Sequence, residues 1–382
     1  MNPSIFRKTH LLQLLSEYEA QDSALDYFIS RYFRAHKALG SKDRAWISDT
    51  VYALIRWRGL LEYLLKVQRK PLSWEALYGC YLYKPPMAYF EDSSIPLHIR
   101  VSFPEWLFQA VCGSWGEQEG VSICLASNEA APTTVRVNTQ KIDRESALQM
   151  WLEKGFLVAP CKESPIGITF QKKINFFSLP EFRTGLFEVQ DEASQLVAHL
   201  CPLQPGWQVM DFCAGSGGKT LAFAHELQGK GQIHLHDIRL HALHEARRRL
   251  RRAGVQNAQI VHADEVKKLK CLKGCMDMVF VDAPCSGTGT LRRNPDMKWK
   301  LTPETIERVA AQQRVIFDEA VQFLKPRGKI VYATCSILKQ ENQDQVAYFL
   351  AHYPLTIEGE VFQSFPKPGE KDGFFAVVLA RV

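Results

Sequence analysis

The chain has 382 residues, and its 47 Lys and Arg against 41 Asp and Glu give a formal net charge of +6. At about 150 residues per domain this length predicts two or three domains, and a hydrophobic content of 46% excludes a disordered chain. No apolar run approaches the roughly 18 residues that span a bilayer, and Gln13 interrupts the Leu cluster near the start. We therefore expect a cytoplasmic protein without membrane contact, and we take a monomer as its default state.

Residues 1–100 are predicted to form a helical domain. Within 43–66 apolar residues recur every three to four positions, which is the pattern of amphipathic helices packed in a bundle. Basic and aromatic residues alternate along this segment: Arg44, Trp46, Tyr52, Arg56, Trp57 and Arg58. Such a mixture can bind RNA through phosphate contacts and stacking, but the solvated side of a core helix is the simpler interpretation of each residue taken alone.

Two further regions follow. Residues 101–185 contain a helical stretch, the β-like "PTTVRVN", the helix-like "RESALQMWLEKG" and short strand-like pieces, which predict a small α+β (RRM-like) domain that binds RNA or links its neighbours. In 186–382, five apolar segments alternate with helix-like ones: "WQVMDF", "QIHLHD", "AQIVHA", "DMVFVDA" and "KIVYATC". This alternation predicts an α/β domain with a mostly parallel sheet covered on both faces.

The first of these strands runs into a glycine-rich turn, "MDFCAGSGGKT", at residues 210–220. Such a turn between a strand and a helix lets the backbone approach a ligand at the carboxyl edge of the sheet. A phosphate-binding P-loop requires Gly at position 213, where this chain has Cys. A dinucleotide-binding fingerprint requires Gly at position 220, where this chain has Thr. The remaining interpretation is a loop that holds the amino-acid end of S-adenosyl-L-methionine.

Three aspartates end successive strands of the predicted sheet. Asp237 ends the second strand, Asp264 the third and Asp282 the fourth, so their side chains are expected at one edge of the sheet. For a bound S-adenosyl-L-methionine, Asp237 is suited to the ribose hydroxyls and Asp264 to the adenine amino group. A helix cap or turn role is the more common explanation for any single Asp, but three beside a glycine loop indicate a ligand site.

Two cysteines are predicted at the same edge. Cys285 follows the fourth strand in "DAPCSGTG" and Cys335 follows the fifth in "ATCS". A cysteine beyond a strand end, near helix N-termini or cations, can be held as the thiolate that a nucleophile requires. The pair Cys271 and Cys275 has no second Cys or His pair at a suitable distance, so we expect no metal site and ten reduced thiols.

The motifs now resemble a known family. "VQDEAS", "DFCAGSGGKT", "DMVFVDAPCSGTGTLRRNPDMKW", "IVYATCSILKQEN" and "DGFFAVVLAR" are similar to those of the RsmB/Sun family of RNA cytosine-5 methyltransferases. The segment "KDRAWISDTVYALIRWRGLLEYLL" resembles the NusB-like RNA-binding domain in one branch of that family. The resemblance implies a NusB-like domain at 1–100, a linker domain at 101–185 and a Rossmann-like class I methyltransferase domain with a seven-stranded sheet at 186–382.

The resemblance also implies a reaction. Since C5 of cytosine is a poor nucleophile, the enzyme first adds a thiolate to C6. In the family the "TC" cysteine, here Cys335, is this nucleophile, and the "PC" cysteine, here Cys285, assists release, while Asp282 hydrogen-bonds the cytosine ring. The target cytosine would be single-stranded or extruded from its helix. The implied cofactor is S-adenosyl-L-methionine, and the implied partner is RNA.

Further positions carry over from the family's motifs. The implied cofactor-binding residues are Cys213, Ala214, Gly215, Ser216, Gly217, Gly218, Lys219, Asp237, Asp264 and Asp282. The substrate wall is expected in "LRRNPDMKW", with Arg292, Arg293 and Lys298 as phosphate partners. Two departures from the family pattern concern the cofactor loop: Ser216 stands where Pro is usual, and Arg239 stands where an acidic residue is frequent.

Three functions remain open at this point. The first is methylation of 16S ribosomal RNA, the second is the same chemistry on transfer RNA, and the third is a noncatalytic RNA-binding or ribosome-assembly factor that keeps the fold. The charge distribution adds one observation, since residues 239–273 hold ten Lys or Arg against three acids. The periodicity of "ALHEARRRLRRAG" predicts that its arginines face solvent, as a phosphate-binding surface or simply a solvated face.

Overall fold

The structure is a computed structural model that describes residues 3–21, 23–172, 174–200 and 203–382. It divides into two compact units. The helical unit comprises Met1–Ala130 and Thr290–Pro303, and the sheet unit comprises Ala131–Gly289 and Glu304–Val382. In this division residues 101–130 and the later segment 290–303 both pack with the N-terminal helices, and the three expected domains stay a prediction.

The described residues contain α-helices and β-strands with the following bounds. The helices are α1 Pro3–Glu19, α2 Leu25–Ala35, α3 Ser41–Val67, α4 Trp74–Tyr83, α5 Leu97–Arg100, α6 Glu105–Trp115, α7 Glu117–Ala126, α8 Arg144–Glu153, α9 Pro180–Arg183, α10 Glu192–His199, α11 Gly218–Phe223, α12 Leu240–Ala253, α13 Val266–Leu272, α14 Met297–Lys300, α15 Pro303–Ala320 and α16 Gln343–His352. The strands are β1 Thr133–Val137, β2 Val158–Pro160, β3 Gly167–Phe170, β4 Phe187–Val189, β5 Gln208–Asp211, β6 Gln232–Asp237, β7 Ala258–His262, β8 Met276–Asp282, β9 Leu324–Thr334, β10 Leu355–Gln363 and β11 Phe375–Arg381.

The helical unit is built around α3, as the three-to-four spacing of its apolar residues predicts. Ile47, Leu54 and Leu61 lie on one stripe of α3, are almost fully buried, and belong to one core with residues of α1, α2 and α4. Trp299 of α14 packs against α3 so closely that a Cβ at Gly59 would lie 2.7 Å from its ring. The later segment is therefore part of this core.

The sheet unit contains the expected seven-stranded sheet, in the order β10-β11-β9-β8-β5-β6-β7. Strands β5 to β9 are parallel to their neighbours among themselves, and β11 and β10 are antiparallel. Alternate residues point to opposite faces: Val209 and Phe280 pack with α10, α11 and α12, whereas Met210 and Val281 pack with α15 and α16. The α/β prediction with both faces covered is thus confirmed.

The strand order positions a ligand site. From β5 the chain continues to β6 and β7 on one side and later to β8 and β9 on the other, so the loop after β5 lies where the strand order reverses. Ligands of doubly wound sheets bind beyond the carboxyl ends of the strands at such a point.

A second, antiparallel sheet in the same unit has the order β2-β3-β1-β4. Its core is aromatic, with Trp151 of α8 in edge contact with Phe170 and Phe187. No helix among the described residues is long and apolar enough to cross a bilayer.

Candidate active site

A cavity of about 910 Å³ opens at the carboxyl edge of the sheet, entirely within the sheet unit. Its walls come from the loops after β5, β6, β8 and β9 and from one side each of α12 and α15. Of the residues predicted from the sequence, Cys213, Ala214, Gly215, Ser216, Gly218, Lys219, Asp237, Asp282, Cys285 and Cys335 line it. Most of the predicted cofactor and catalytic side chains are thus brought together.

The glycine loop depends on two residues with left-handed backbone. Gly215 and Gly217 have φ values of 52° and 76°, a conformation that costs glycine little. A Cβ at Gly217 would also approach the Ala246 side chain of α12 to 3.2 Å. The loop therefore passes close to α12 with its backbone exposed to the cavity at Gly215.

Asp211, at the end of β5, is hydrogen-bonded to the helix that follows the glycine loop. Its carboxylate accepts a 2.5 Å hydrogen bond from the Thr220 hydroxyl of α11. Burial raises the pKa of Asp211 to about 7, despite that hydrogen bond. Desolvation also holds the pKa of the half-buried Cys213 well above the usual range for a thiol, so Cys213 lines the cavity as a neutral group.

Asp237 fixes the far side of the loop. Its Oδ2 accepts a 2.8 Å hydrogen bond from the Gly215 amide, and both carboxylate oxygens accept hydrogen bonds from Arg239. These bonds outweigh burial and lower the pKa of Asp237. Arg239, the departure from the family pattern, therefore occupies the carboxylate expected to bind ribose hydroxyls. Its side chain is 58% exposed, so it can leave without disturbing the core.

Lys219 and Asp282 form an ion pair inside the cavity. Burial disfavours the charged form of Lys219, but the adjacent carboxylate more than offsets this effect and raises the pKa of Lys219. A negative charge on Cys335 also favours the ammonium form of Lys219.

The two cysteines lie in contact. Cys335 directly follows β9, Cys285 follows β8 by three residues, and their Sγ atoms are 3.3 Å apart. The hydrogen bond with Cys335, together with burial, raises the pKa of Cys285 well above its usual range. Cys285 therefore stays a thiol and can donate a hydrogen bond to Cys335.

Sequence comparison connects this site to known proteins. The family model described as 16S rRNA methyltransferase RsmB/F matches residues 198–380, and the ferredoxin-like domain of RsmF/B-like methyltransferases matches 103–176. The ribosomal RNA small subunit methyltransferase B of Pseudomonas syringae pv. tomato is 33% identical over 304 residues, which cover 74% of this chain and 67% of that protein. The chain belongs to the RsmB/F family.

Solved structures agree with this family assignment at the level of the fold. The crystal structure of PH0851 matches over 99% of both chains with a TM-score of 0.81 at 23% identity. A methyltransferase homolog protein from Pyrococcus horikoshii matches 75% of this chain and 97% of its own, with a TM-score of 0.66 at 25% identity. The RsmB/F-family chain thus has the Rossmann-like methyltransferase fold.

Two predicted cofactor residues of this RsmB/F-family chain do not line the cavity. Gly217 does not line the cavity, but its left-handed backbone shapes the glycine loop. Asp264 follows β7 as predicted, but its side chain is 90% exposed and pairs with His262 at 3.1 Å. Asp264 therefore lies at the predicted edge of the sheet, but its side chain is in solvent outside the cavity.

The expected phosphate partners lie in the helical unit. Arg292 and Lys298 are each only 1% exposed. The Lys298 ammonium donates to the Arg56 carbonyl at 2.7 Å and to Asn128 Oδ1 at 2.6 Å, and burial lowers its pKa well below the usual range. Neither side chain presents a charge to solvent, so neither is placed to bind a phosphate group. Arg293 is half-buried.

Sequence reasoning missed a residue that accepts hydrogen bonds from both cysteine-bearing loops. Glu341 is fully buried and accepts hydrogen bonds from the Ser286 amide at 2.8 Å, the Ser286 hydroxyl at 2.5 Å and the Ser336 hydroxyl at 2.6 Å. Ser286 follows Cys285 and Ser336 follows Cys335, so one carboxylate positions both cysteine loops. The only signal for it was its place near the end of "IVYATCSILKQEN", the motif that contains Cys335.

No group of three or more His, Cys, Asp or Glu side chains with metal-binding geometry occurs in residues 3–21, 23–172, 174–200 and 203–382.

Proposed function

We propose that this protein transfers a methyl group from S-adenosyl-L-methionine to C5 of a cytosine in ribosomal RNA of the small subunit. Membership of the RsmB/F family supports RNA methylation, and the names of its relatives support the small-subunit RNA. The observation that carries the C5 chemistry is the 3.3 Å contact of two cysteine thiols at the ends of neighbouring strands, beside Asp282.

The residues present fit the cofactor. The exposed backbone of the glycine loop at Gly215 suits its amino-acid end, and Asp237 suits its ribose once Arg239 moves aside. S-adenosyl-L-methionine supplies an electrophilic methyl group when it is bound. Its sulfonium charge is compatible with a cavity lined by five carboxylates: Asp211, Asp237, Glu245, Asp282 and Glu319.

In the proposed reaction the Cys335 thiolate attacks C6 of the cytosine, and the new C–S bond makes C5 nucleophilic. Cys285 and Lys219 both favour the thiolate, the first by donating a hydrogen bond and the second by its charge. Asp282 lies where it can hold the exocyclic amine or N3 of the ring as charge develops there.

After C5 has gained the methyl group, it loses its proton to a base, and the electron pair of that C–H bond restores the ring double bond. The C6–Sγ bond breaks in the same elimination, and its electrons leave with Cys335 as the thiolate. We assign assistance of this release to Cys285, whose Sγ lies next to the departing sulfur. The pair therefore divides attack and release between two neighbouring thiols.

A trapping experiment tests this division. Cys285→Ala should accumulate a protein–RNA adduct that survives denaturing electrophoresis, because attack proceeds and release fails. Cys335→Ala should give neither adduct nor methylated RNA, and Cys271→Ala is the control for loss of a thiol outside the cavity. An adduct in Cys335→Ala and none in Cys285→Ala would reverse the roles.

The substrate is tested separately with methyl-tritiated S-adenosyl-L-methionine. We expect label in small-subunit ribosomal RNA and, after digestion to nucleosides, in 5-methylcytidine. Label in transfer RNA instead would favour the second function considered above. RNA binding without label in any RNA would favour the noncatalytic factor.

A further inference from the structure

Helix α12 separates the active-site cavity from a second concave surface. One of its faces, with His241, Glu245 and Arg249, lines the cavity. The adjacent face lines a groove of about 670 Å³ between α12 and β7. The residues on that face are Leu240, His244, Arg247, Leu250 and Arg251. Groove and cavity are therefore lined by two different faces of the same helix.

The arginines of α12 are not equivalent, contrary to the expectation that all of them face solvent. Arg249 and Arg252 turn inward and bind the buried carboxylate of Glu188 at 3.1 Å and 2.5 Å. Arg247 and Arg251 are exposed at the groove, and neither has an ion-pair partner in the described parts of the chain. Arg249 and Arg252 therefore stabilise the fold, whereas Arg247 and Arg251 are available to a ligand.

The groove is basic, whereas the cavity is not. Arg247, Arg251 and Lys268 line the groove with a single acid, Glu265. In the cavity each cation already has a carboxylate partner, as shown for Lys219, Arg239 and Arg249. An RNA strand that delivers a base to the cavity thus finds no unpaired cation there, and its phosphates need neutralisation nearby.

We propose that this groove, at the β7 edge of the sheet, binds the phosphodiester backbone of the substrate RNA. The proposal rests on the function proposed above, which makes RNA the substrate. Arg247 and Arg251 are four residues apart on one helix face, so their guanidinium groups lie side by side and contact neighbouring phosphates. Among the described residues that line the groove there is no Phe, Tyr or Trp, so the contact is to backbone rather than to stacked bases.

The test compares two double variants of the full chain that each remove two positive charges. Arg247→Ala/Arg251→Ala alters the groove, and Lys267→Ala/Lys270→Ala alters exposed residues of α13 that do not line it. The probe is a short fluorescein-labelled single-stranded RNA with one cytosine, and anisotropy gives its Kd over a range of salt concentrations. Affinity for S-adenosylhomocysteine is measured alongside to show that both variants are folded.

A plot of the logarithm of the RNA association constant against the logarithm of salt concentration has a negative slope. We expect the groove variant to make this slope shallower by about 1.4, since each phosphate contact on a single strand contributes about 0.7. Relative to about 1 M salt, this corresponds to roughly 25-fold weaker binding at about 0.1 M. The control variant should change the slope by less than half as much.

Equal effects of the two variants would overturn the proposal, because general charge would then explain the binding. It would also be overturned if RNA binding were unchanged while the groove variant lost affinity for a polyglutamate peptide, the result for an acidic protein partner. A wild type that binds RNA through the groove but methylates no cytosine would refute the proposed function and leave this inference standing.

Discussion

Removal of the Glu341 carboxylate should separate the two cysteine loops. In Glu341→Ala, the donors that now point at that carboxylate lose their acceptor at once: the amide and hydroxyl of Ser286 and the hydroxyl of Ser336. The Gln313 side chain, 3.2 Å from Oε1, loses a fourth contact.

The expected loss of stability depends on whether each donor can reach another acceptor. Hydrogen bonds to a charged group contribute about 1.5–3 kcal/mol each, so three good bonds set a ceiling of roughly 9 kcal/mol. The Ser286 hydroxyl can turn to the Thr288 oxygen at 3.1 Å, and Ser336 lies 3.0 Å from the same oxygen. Only the Ser286 amide has no alternative. We therefore expect Glu341→Ala to reduce the free energy of unfolding by about 3 kcal/mol.

Urea denaturation followed by circular dichroism measures this loss, and the adduct-forming rate of Cys285→Ala with and without Glu341→Ala measures the effect on positioning. Glu341→Gln keeps one acceptor oxygen and should cost about 1 kcal/mol. Glu360→Ala, at an exposed position of β10, is the control. A loss below about 1 kcal/mol in Glu341→Ala, or an unchanged adduct rate, would refute the positioning role.

Three further predictions concern charge and reactivity. Because the folded protein holds Asp211 with a pKa of about 7, the unfolded chain binds fewer protons between about pH 4 and 7, and wild type should lose stability relative to Asp211→Asn as pH rises, by up to about 4 kcal/mol in urea titrations. Arg239→Ala should tighten S-adenosylhomocysteine binding two- to fivefold in calorimetry, because the half-exposed ion pair of Arg239 with Asp237, worth about 0.5–1 kcal/mol, no longer competes for that carboxylate. Iodoacetamide at mildly alkaline pH should modify exposed Cys271 well before Cys213, as peptide mass spectrometry would show.

Each of these has an opposing result. Parallel pH profiles of the wild type and Asp211→Asn would mean that the buried carboxyl stays ionised in the folded protein. A tenfold loss of affinity in Arg239→Ala would make that arginine a cofactor contact rather than a competitor. Equal labelling rates at the two cysteines would contradict the burial of Cys213.

The strand ends of the sheet were predictable from the sequence because parallel strands bring their carboxyl ends to one edge whatever the rest of the chain does. That geometry fixed Asp237, Asp282, Cys285 and Cys335 together. It did not fix side-chain direction, and so Asp264 was assigned to the cavity although it faces solvent.

Long-range pairing was beyond the sequence pattern. Periodicity on α12 distinguishes core from surface, but it gives no signal that Glu188, about 60 residues earlier, binds Arg249 and Arg252. Lys298 was likewise interpreted as a phosphate partner, because nothing in its neighbours shows that Asn128 and the Arg56 carbonyl surround it.

The insertion of Thr290–Pro303 into the helical unit affects how the protein is made. The helices up to residue 130 leave the ribosome early, but Trp299 and Lys298, which complete their packing, follow only after the intervening 131–289. At about 5–20 residues per second, those 159 residues take roughly 8 to 30 s to synthesise. The first unit to begin folding thus waits for a segment encoded after most of the second, and a fragment ending at residue 130 would expose the surface that this segment covers.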